Sequence, residues 1–439
     1  MRSYLPLLIA STLALGTSVS AENWPHWRGQ GNTGSSTETG LPQQWSDTEN
    51  IAWKTRLAGL GVSSPVVWGD RVFVTSQAGT GASRVGPRLG QGNESNPAER
   101  SLSGAGGTRD QTLRFLVEAF DRVSGRRLWT HTTAAEGDVP AVHDKHNLAS
   151  ASPATDGERV YAVFGSGQVV ALDVNGKPVW ARHLGKDFGA FSINWGNGSS
   201  PIVHGNTIVL VCYHGDASYL LALDSRTGKQ IWKTDRPGGV ISYSTPLVVP
   251  TPAGNELVVN SSVGVEAYEL ASGKPLWHYD EPNQYPIPVA MHHDGVIYVS
   301  RGYRSGPYVA LRPGGRGDIS KTNVLWHVPT GAPYISSLVY YEGLLYMAGD
   351  VGVITCVDAR TGERVWRERL GSVYTASPVA ADGKIYFASE SGETLVLKAG
   401  RTAQVLARNS IDGRVLASPA IAGGRLFIRT DDHVIAVGK

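Results

Sequence analysis

The chain repeats one short phrase, and this repeat restricts its fold more than any other feature. Segments 119–129, 222–232, 267–277 and 356–366 read AFDRVSGRRLW, ALDSRTGKQIW, AYELASGKPLW and CVDARTGERVW. Each begins with a small residue, has an acidic residue two positions later and a Ser/Thr-Gly pair at positions six and seven, and ends on Trp. The acidic side chain can accept turn amide protons and Gly permits a positive φ, so the phrase predicts two strands joined by a tight turn. Variant copies occupy 171–180, 310–326 and 397–407.

A second phrase precedes each copy and begins with Ser-Pro or a related pair, as in SSPVVWGDRVFV (63–74) and ASPVAADGKIYF (376–387). Eight such openings occur, and each unit reads as four short strands. Four strands in a period of about 40 to 50 residues are typical of β-propellers. The last unit ends at 433–438 without a Trp strand, and NIAWKTRL (50–57) can supply it. We therefore predict an all-β, eight-bladed propeller of four-stranded antiparallel blades, closed by an N-terminal strand that completes the last blade.

Tryptophans at the end of the phrase offer a large face to the neighbouring blade, and we expect a structural docking role for them. They are Trp53, Trp129, Trp180, Trp232, Trp277, Trp326 and Trp366.

These phrases resemble the PQQ-repeat (pyrroloquinoline-quinone-like, BamB-like) propeller family over residues 50 to 439. WPHWRGQGNTG (24–34) is similar to the leader of secreted bacterial members. The family includes quinoprotein alcohol dehydrogenases, so the resemblance implies PQQ and calcium as candidate cofactors. It also includes non-catalytic assembly scaffolds such as BamB. Quinoprotein dehydrogenases carry a vicinal Cys-Cys pair, whereas here Cys212 and Cys356 lie far apart, and no cofactor-binding residue can be carried over.

The N-terminus predicts export. Residues 1–21 have an early Arg2, an apolar stretch and small residues before Glu22, which is the plan of a cleaved signal peptide, with an uncleaved anchor as the alternative. No cysteine follows the cut, so we expect a periplasmic or secreted protein without a lipid anchor. A leader segment (22–49) and the propeller (50–439) follow, with a long loop insertion at about 76–111 that is either a lid or a solvated insertion.

The composition of the chain limits which kinds of partner it can bind. The formal net charge is +2 and no Lys/Arg block occurs, which argues against nucleic acid as a partner. Cys212 and Cys356 both sit in β-type runs, where a small buried thiol is favoured over a disulfide. We expect a monomer with no transmembrane segment after signal cleavage.

Chemistry is expected on the face that carries the longer loops. Residues 142–150, 191–199 and 212–218 should lie side by side there, and the loop around 303 shares that face. The candidate ligand-binding residues are His143, His146, Asn147, Asn194, Trp195, His214, Asp216, Tyr303 and Arg304. Of these, His143, His146, His214 and Asp216 could supply metal ligands or acid/base groups. The alternative is that they brace adjacent blades.

The favoured function is a non-catalytic binding or assembly scaffold whose loop-rich face takes an envelope protein or a small polar ligand. No catalytic residue is identified. Two alternatives stay open: a PQQ- and calcium-dependent quinoprotein dehydrogenase, and a metal-dependent enzyme that uses the histidine cluster.

Overall fold

A computed structural model of the chain describes residues 23–81, 83–84, 113–137 and 139–439. Strands consecutive in sequence pair into eight antiparallel sheets of four strands, and one sheet gains a short fifth strand in parallel register. This arrangement confirms the predicted eight-bladed propeller.

The strands follow one another blade by blade around the ring. Blade 1 contains β2 (Val66–Trp68), β3 (Arg71–Ala78), β5 (Arg114–Asp121) and β6 (Arg127–Ala134). Blade 2 contains β8 (Ala154–Thr155), β9 (Arg159–Val163), β10 (Gln168–Asp173) and β11 (Pro178–His183). Blade 3 contains β12 (Ile202–His204), β13 (Thr207–Cys212), β14 (Tyr219–Asp224) and β15 (Gln230–Asp235). Blade 4 contains β16 (Leu247–Thr251), β17 (Gly254–Asn260), β18 (Gly264–Glu269) and β19 (Pro275–Asp280).

The second half of the ring repeats this order. Blade 5 contains β20 (Met291–His293), β21 (Val296–Ser300), β22 (Tyr308–Leu311) and β24 (Val324–Val328), and β23 (Gly317–Asp318) joins blade 4. Blade 6 contains β25 (Val339–Tyr341), β26 (Leu344–Ala348), β27 (Val353–Asp358) and β28 (Arg364–Arg369). Blade 7 contains β29 (Val379–Ala381), β30 (Lys384–Ala388), β31 (Glu393–Lys398) and β32 (Gln404–Ser410). Blade 8 contains β33 (Ala420–Ala422), β34 (Arg425–Arg429), β35 (His433–Val437) and β1 (Ile51–Arg56).

Three short elements lie outside the eight sheets. A two-stranded parallel pair joins β4 (Ser83–Arg84) to β7 (Val142–His143). One turn of 3₁₀ helix covers Gln30–Asn32, and α1 covers Leu184–Phe188.

β1 closes the ring by pairing antiparallel with β35, with Arg56 opposite His433 and Thr55 opposite Val434. The first strand of the propeller thus becomes the outermost strand of the last blade. This pairing covers an edge of β35 that would otherwise be exposed.

The core lies between the blades. Middle strands such as β3 are buried along almost their whole length, because a neighbouring blade covers each face. Outer strands such as β6 alternate between exposed and half-buried positions. Cys212 and Cys356 are free, buried and in different inter-blade clusters, as predicted. Burial raises the pKa of each thiol to about 12.

Two of the predicted segments lie largely or wholly outside the described residues. These are the signal segment 1–21 and most of the insertion at 76–111, of which residues 76–78 continue β3. Across the described part of the chain, no helix is long and apolar enough to cross a membrane.

Candidate functional site

The Ser-Pro phrases converge around the propeller axis. In six of the eight phrases a Ser or Thr hydroxyl accepts a hydrogen bond from the equivalent amide of the preceding blade, at distances of 2.8 to 3.0 Å. The eight equivalent positions, here called the clasp positions, are Ser64, Ser152, Ser200, Thr245, Val289, Ser337, Ser377 and Ser418. Since each bond joins two blades, the clasp positions tie the inner ends of the blades together.

A cavity of about 240 Å³ lies on the axis beside this clasp. The residue two positions before each clasp position lines the cavity in all eight blades. These residues are Val62, Ser150, Gly198, Tyr243, Ile287, Ile335, Thr375 and Leu416. We call the cavity the axial cup. The same position of the repeat in every blade therefore contributes to the wall of the cup, although the residue type at this position differs between blades.

The leader segment crosses the axis and forms the floor of the cup. Trp24 pairs with Val67 of blade 1, and buried Arg28 donates to Pro378 O (2.5 Å) and Leu338 O (2.9 Å) of blades 7 and 6. Between these anchors, Trp27 lines the cup, and its indole N–H donates to Ser418 Oγ (3.4 Å).

Blade 2 contributes a histidine wall. His143 Nδ1 lies 3.0 Å from the backbone nitrogen of Lys145 and 3.1 Å from the Asp144 carboxylate, so both neighbours hold the ring in place. His143 meets Trp195 edge-on, with ring centroids 5.7 Å apart.

His146 positions the neighbouring loop. Its Nε2 donates to the carbonyl of Trp195, and Nδ1 lies 2.9 Å from Ser150 Oγ. Burial lowers the pKa of His146, which favours the neutral tautomer with its proton on Nε2. Trp195 adopts a left-handed backbone conformation with φ of 69°, which costs about 1–3 kcal/mol and occurs preferentially at functional sites.

Blades 4 to 6 contribute a tyrosine wall to the cup. Tyr243 and Tyr285 have ring centroids 6.5 Å apart. Tyr303 stands behind them, edge-on to Tyr285 at 4.8 Å and 5.2 Å from Tyr334. The exposed Arg304 guanidinium lies over the Tyr303 ring at 5.3 Å.

Three ionisable chains other than histidine line the cup. Lys145 Nζ contacts both carboxylate oxygens of Glu390 at 3.0 and 2.8 Å, which links the loops of blades 2 and 7. Glu390 also accepts from Thr375 Oγ1 (2.5 Å). Asp350 accepts from the Tyr334 amide on Oδ2 (3.1 Å), while its Oδ1 is buried without a hydrogen-bond partner. Burial raises the pKa of Asp350 to about 6.

The predicted candidates separate into three groups. His143, His146 and Trp195 line the cup, and Tyr303 supports its wall. Asn147 and His214 are buried elsewhere: the Asn147 amide donates to Leu60 O (2.8 Å), and His214 stacks on Phe191 at 4.7 Å. The remaining candidates are exposed, namely Asn194, Asp216 and Arg304.

The histidine cluster does not assemble into a three-ligand metal site. Among the described residues, only His278, Asp280 and Asp318 bring three His, Cys, Asp or Glu ligand atoms within 4.8 Å of one another, and all three are exposed. Burial lowers the pKa of His214.

The residues that line the cup do not match the chemistry of PQQ and calcium. PQQ is a planar tricarboxylate, and the only Lys or Arg among the described lining residues is Lys145, which Glu390 already neutralises. Calcium prefers six to eight oxygen ligands, and the carboxylates on the wall are Asp350 and Glu390 alone. This donor set does not fit the pair, and we derive no chemistry through it.

Sequence reasoning missed Trp27, Tyr243, Tyr285, Tyr334, Asp350 and Glu390. Alignment of the eight Ser-Pro phrases could have found Tyr243, because it stands two residues before a clasp position. Asp350 and Glu390 occupy equivalent positions in the repeated turns AGDVG (348–352) and ASESG (388–392) of blades 6 and 7, which a comparison of those turns would have revealed.

A family model and individual relatives of known sequence both indicate the same protein family. The family model described as outer membrane protein assembly factor BamB matches residues 113–285, 315–403 and 350–438. A similar protein is the tetrathionate hydrolase of Acidithiobacillus ferrooxidans, 25% identical over 367 residues, which cover 77% of this chain and 65% of that protein. The match thus spans less than two thirds of that relative. BamB of Burkholderia pseudomallei is 26% identical over 295 residues, which cover 62% of this chain and 69% of that protein.

Solved structures share the fold. BamB from Moraxella catarrhalis matches with a TM-score of 0.59 and 15% identity, over 88% of this chain and 96% of that chain. Quinohemoprotein alcohol dehydrogenase from Comamonas testosteroni matches with a TM-score of 0.66 and 15% identity, over 95% and 80%. At this identity the likeness concerns the fold alone.

Proposed function

Because the chain belongs to the BamB-like family of PQQ-repeat propellers, we propose that it is a non-catalytic binding scaffold of the bacterial envelope. In this proposal the loop-rich face recognises the partner, and the axial cup holds a small polar ligand. Export through residues 1–21, cleavage before Glu22 and action as a monomer are part of the same proposal. N-terminal sequencing of the mature periplasmic protein should then begin at Glu22.

The axial cup is the observation that supports this function. Its floor is held by buried Arg28 and its wall by eight equivalent positions, so the cavity is preformed and needs little ordering when a ligand enters. Aromatic walls with a few polar groups are typical of small-ligand sites. Four of the ionisable side chains that line the cup are engaged with neighbours: His143 and His146 in their loops, and Lys145 with Glu390.

A cup-filling variant tests the proposal. Gly198 lines the cup, and an added Cβ would meet nothing within 4 Å, so Gly198→Phe should place a ring in the cavity without disturbing the fold. Asn194→Phe adds the same ring at an exposed position of the same loop. Wild type and N194F, purified from the periplasm, should release the same small molecule on denaturation, detected by mass spectrometry, and G198F should not.

The outcome that contradicts this function is equal release from both variants, or no released compound from any of the three proteins. Capture of the same envelope proteins by wild type and both variants would then locate recognition on the outer loops rather than in the cup.

A quinoprotein-type dehydrogenase is the alternative, and it rests on the fold shared with quinohemoprotein alcohol dehydrogenase, against the donor set of the cup, which does not fit PQQ and calcium. The purified protein, incubated with PQQ and calcium, should then reduce a redox dye with alcohols. A metal-dependent enzyme built on His143, His146, His214 and Asp216 has less support, since these four residues do not share a three-ligand site. Unchanged metal content in a His146→Ala/His214→Ala double variant would argue against it.

A further inference from the structure

The charges that line the axial cup do not balance. Lys145 and Glu390 neutralise each other at 2.8 Å, the Asp144 carboxylate lies 3.1 Å from His143 Nδ1 and balances any positive charge there, and burial lowers the pKa of His146. Asp350 therefore leaves the described wall with one net negative charge.

Asp350 also has an unfilled hydrogen-bonding position. Its Oδ1 is buried without a well-aligned hydrogen-bond donor, whereas Oδ2 accepts from the Tyr334 amide, and the backbone amides of Ile335 and Asp350 also face the carboxylate. A buried carboxylate oxygen without a donor is unfavourable, and such groups in native proteins call for a partner. The partner that satisfies it from within the cup is a ligand that brings both an N–H and a positive charge.

The aromatic wall has the same preference. Tyr334 stands beside the carboxylate, and Tyr303 contacts both Tyr334 and Tyr285. Trp27 lines the floor of the same cup. Ring faces carry a negative quadrupole, so a cation that rests against them is attracted further when water is excluded. A flat or apolar body would occupy the rest of the cavity.

From these three observations we infer that the axial cup binds a small organic amine in its ammonium form, which donates to Asp350 Oδ1 and packs its apolar body against the tyrosine wall. This inference rests on the proposed binding function and names the chemical class of its ligand. At about 240 Å³ the cup suits a small amine rather than a peptide. The pair of Lys145 and Glu390 in the same cup is an example of an ammonium group bound by a carboxylate in this environment.

Binding should weaken as the pH falls. Burial is the main cause that raises the pKa of Asp350 to about 6, and the negative charge of Glu390 adds to it. Protonation of Asp350 removes the charge that the ammonium needs, so affinity should fall about tenfold between pH 7.5 and pH 5. The other titratable groups around the cup are Lys145, Glu390, His143, His146, Tyr243, Tyr285 and Tyr334.

Titration with defined probes tests the inference. 2-Phenylethylamine is compared with 2-phenylethanol, which lacks the charge, and with phenyltrimethylammonium, which has the charge but no N–H to donate. Calorimetry of the full mature chain should show the amine binding at least about tenfold more tightly than either analogue. Equal binding of the alcohol would overturn the inference, and so would failure of the amine to bind.

Three variants complete the test. Asp350→Asn keeps the shape of the side chain and should weaken amine binding at least about tenfold, whereas Asp412→Asn, exposed on the same face, should leave it unchanged. Lys145→Met leaves Glu390 unpaired and should tighten amine binding, an effect in the opposite direction that a folding defect would not produce. Circular dichroism verifies the fold of each variant.

Amine binding that is unaffected by D350N contradicts the inference. Failure here is distinguishable from failure of the proposed function. If G198F still loses the native small molecule while the amine does not bind, the cup remains a binding site for another ligand class.

Discussion

At the scale of single residues, tryptophan and glycine form matched pairs between blades. The Trp180 indole N–H of blade 2 donates to Ser225 O (2.9 Å) in the turn of blade 3, and its ring covers Gly228 of that turn. Glycine serves two purposes here, because its φ is +67° and a Cβ would lie 2.7 Å from the Trp180 ring. Glycine is therefore needed at this position of the repeat both for the close contact with the indole ring and for the backbone conformation of the turn.

A pair of alanine substitutions in blade 3 separates these purposes. Gly205→Ala meets nothing within 4 Å and carries only the cost of its φ of +56°, about 1–2 kcal/mol. Gly228→Ala carries the same cost and also collides with Trp180, which should add about 1–3 kcal/mol. Urea unfolding measures both losses. Equal losses would show that the indole contact contributes nothing beyond turn geometry.

At the scale of elements, the clasp positions explain why the strands keep their place around the axis. Six hydroxyls accept a hydrogen bond from an amide of the preceding blade, and the series is interrupted where Val289 has no hydroxyl. Ser64 differs from the others because its Oγ is buried without a partner. The hydroxyl residues at equivalent positions of the repeat should therefore contribute very different amounts to the stability of the protein.

Two serine substitutions should reveal this difference. Ser200→Ala leaves the buried Ser152 amide without its acceptor at 2.9 Å and should destabilise the protein by about 1–3 kcal/mol. Ser64→Ala removes an oxygen that has no partner, so the free energy of unfolding should stay the same or rise. Thermal unfolding of both variants against wild type checks the order, and a larger loss for S64A would refute it.

The elements could be predicted from the sequence because the repeat fixes residue types that strands and turns require. The pairing of Trp53 in β1 with the last blade followed from a missing copy at the C-terminus. The cup could not be predicted in the same way, because its wall holds Gly198, Tyr243 and Leu416 at equivalent positions and shares no residue type. Sequence reasoning favoured polar loops, and so it included the exposed Asp216 and missed Asp350.

At the scale of the whole molecule, ring closure depends on a noncovalent seam, where β1, which continues along the chain into blade 1, meets the rest of blade 8. β1 pairs with β35, and the Trp53 indole donates to Arg122 O (3.0 Å) of blade 1. Arg429 of β34 is fully buried and also reaches blade 1, where it donates to Ser63 and to Thr75 O (2.6 Å). The leader adds a second link, since it runs from blade 1 across the axis to blades 6 and 7.

Two arginines on β34 provide a matched test of the seam. Arg429→Met would leave the buried Ser63 carbonyl without its Arg429 donor and would leave Thr75 O with the Ser63 hydroxyl (3.0 Å) as its donor, and we expect a loss of about 2–3 kcal/mol. Arg425 also donates to blade 1, at Arg122 O (3.1 Å), but it is half-buried, so water can replace it and Arg425→Met should cost less than about 1 kcal/mol.

Because every blade packs on two neighbours, opening the seam should expose the core of blade 8 first. Limited proteolysis of R429M should therefore cut within residues 411–439 before any other blade, and urea unfolding should lose its single sharp transition. R425M is the control and should keep the wild-type pattern. If both variants unfold like wild type, the pairing of β1 and the contact of Trp53 are sufficient to keep the ring closed, and buried Arg429 is not required for closure.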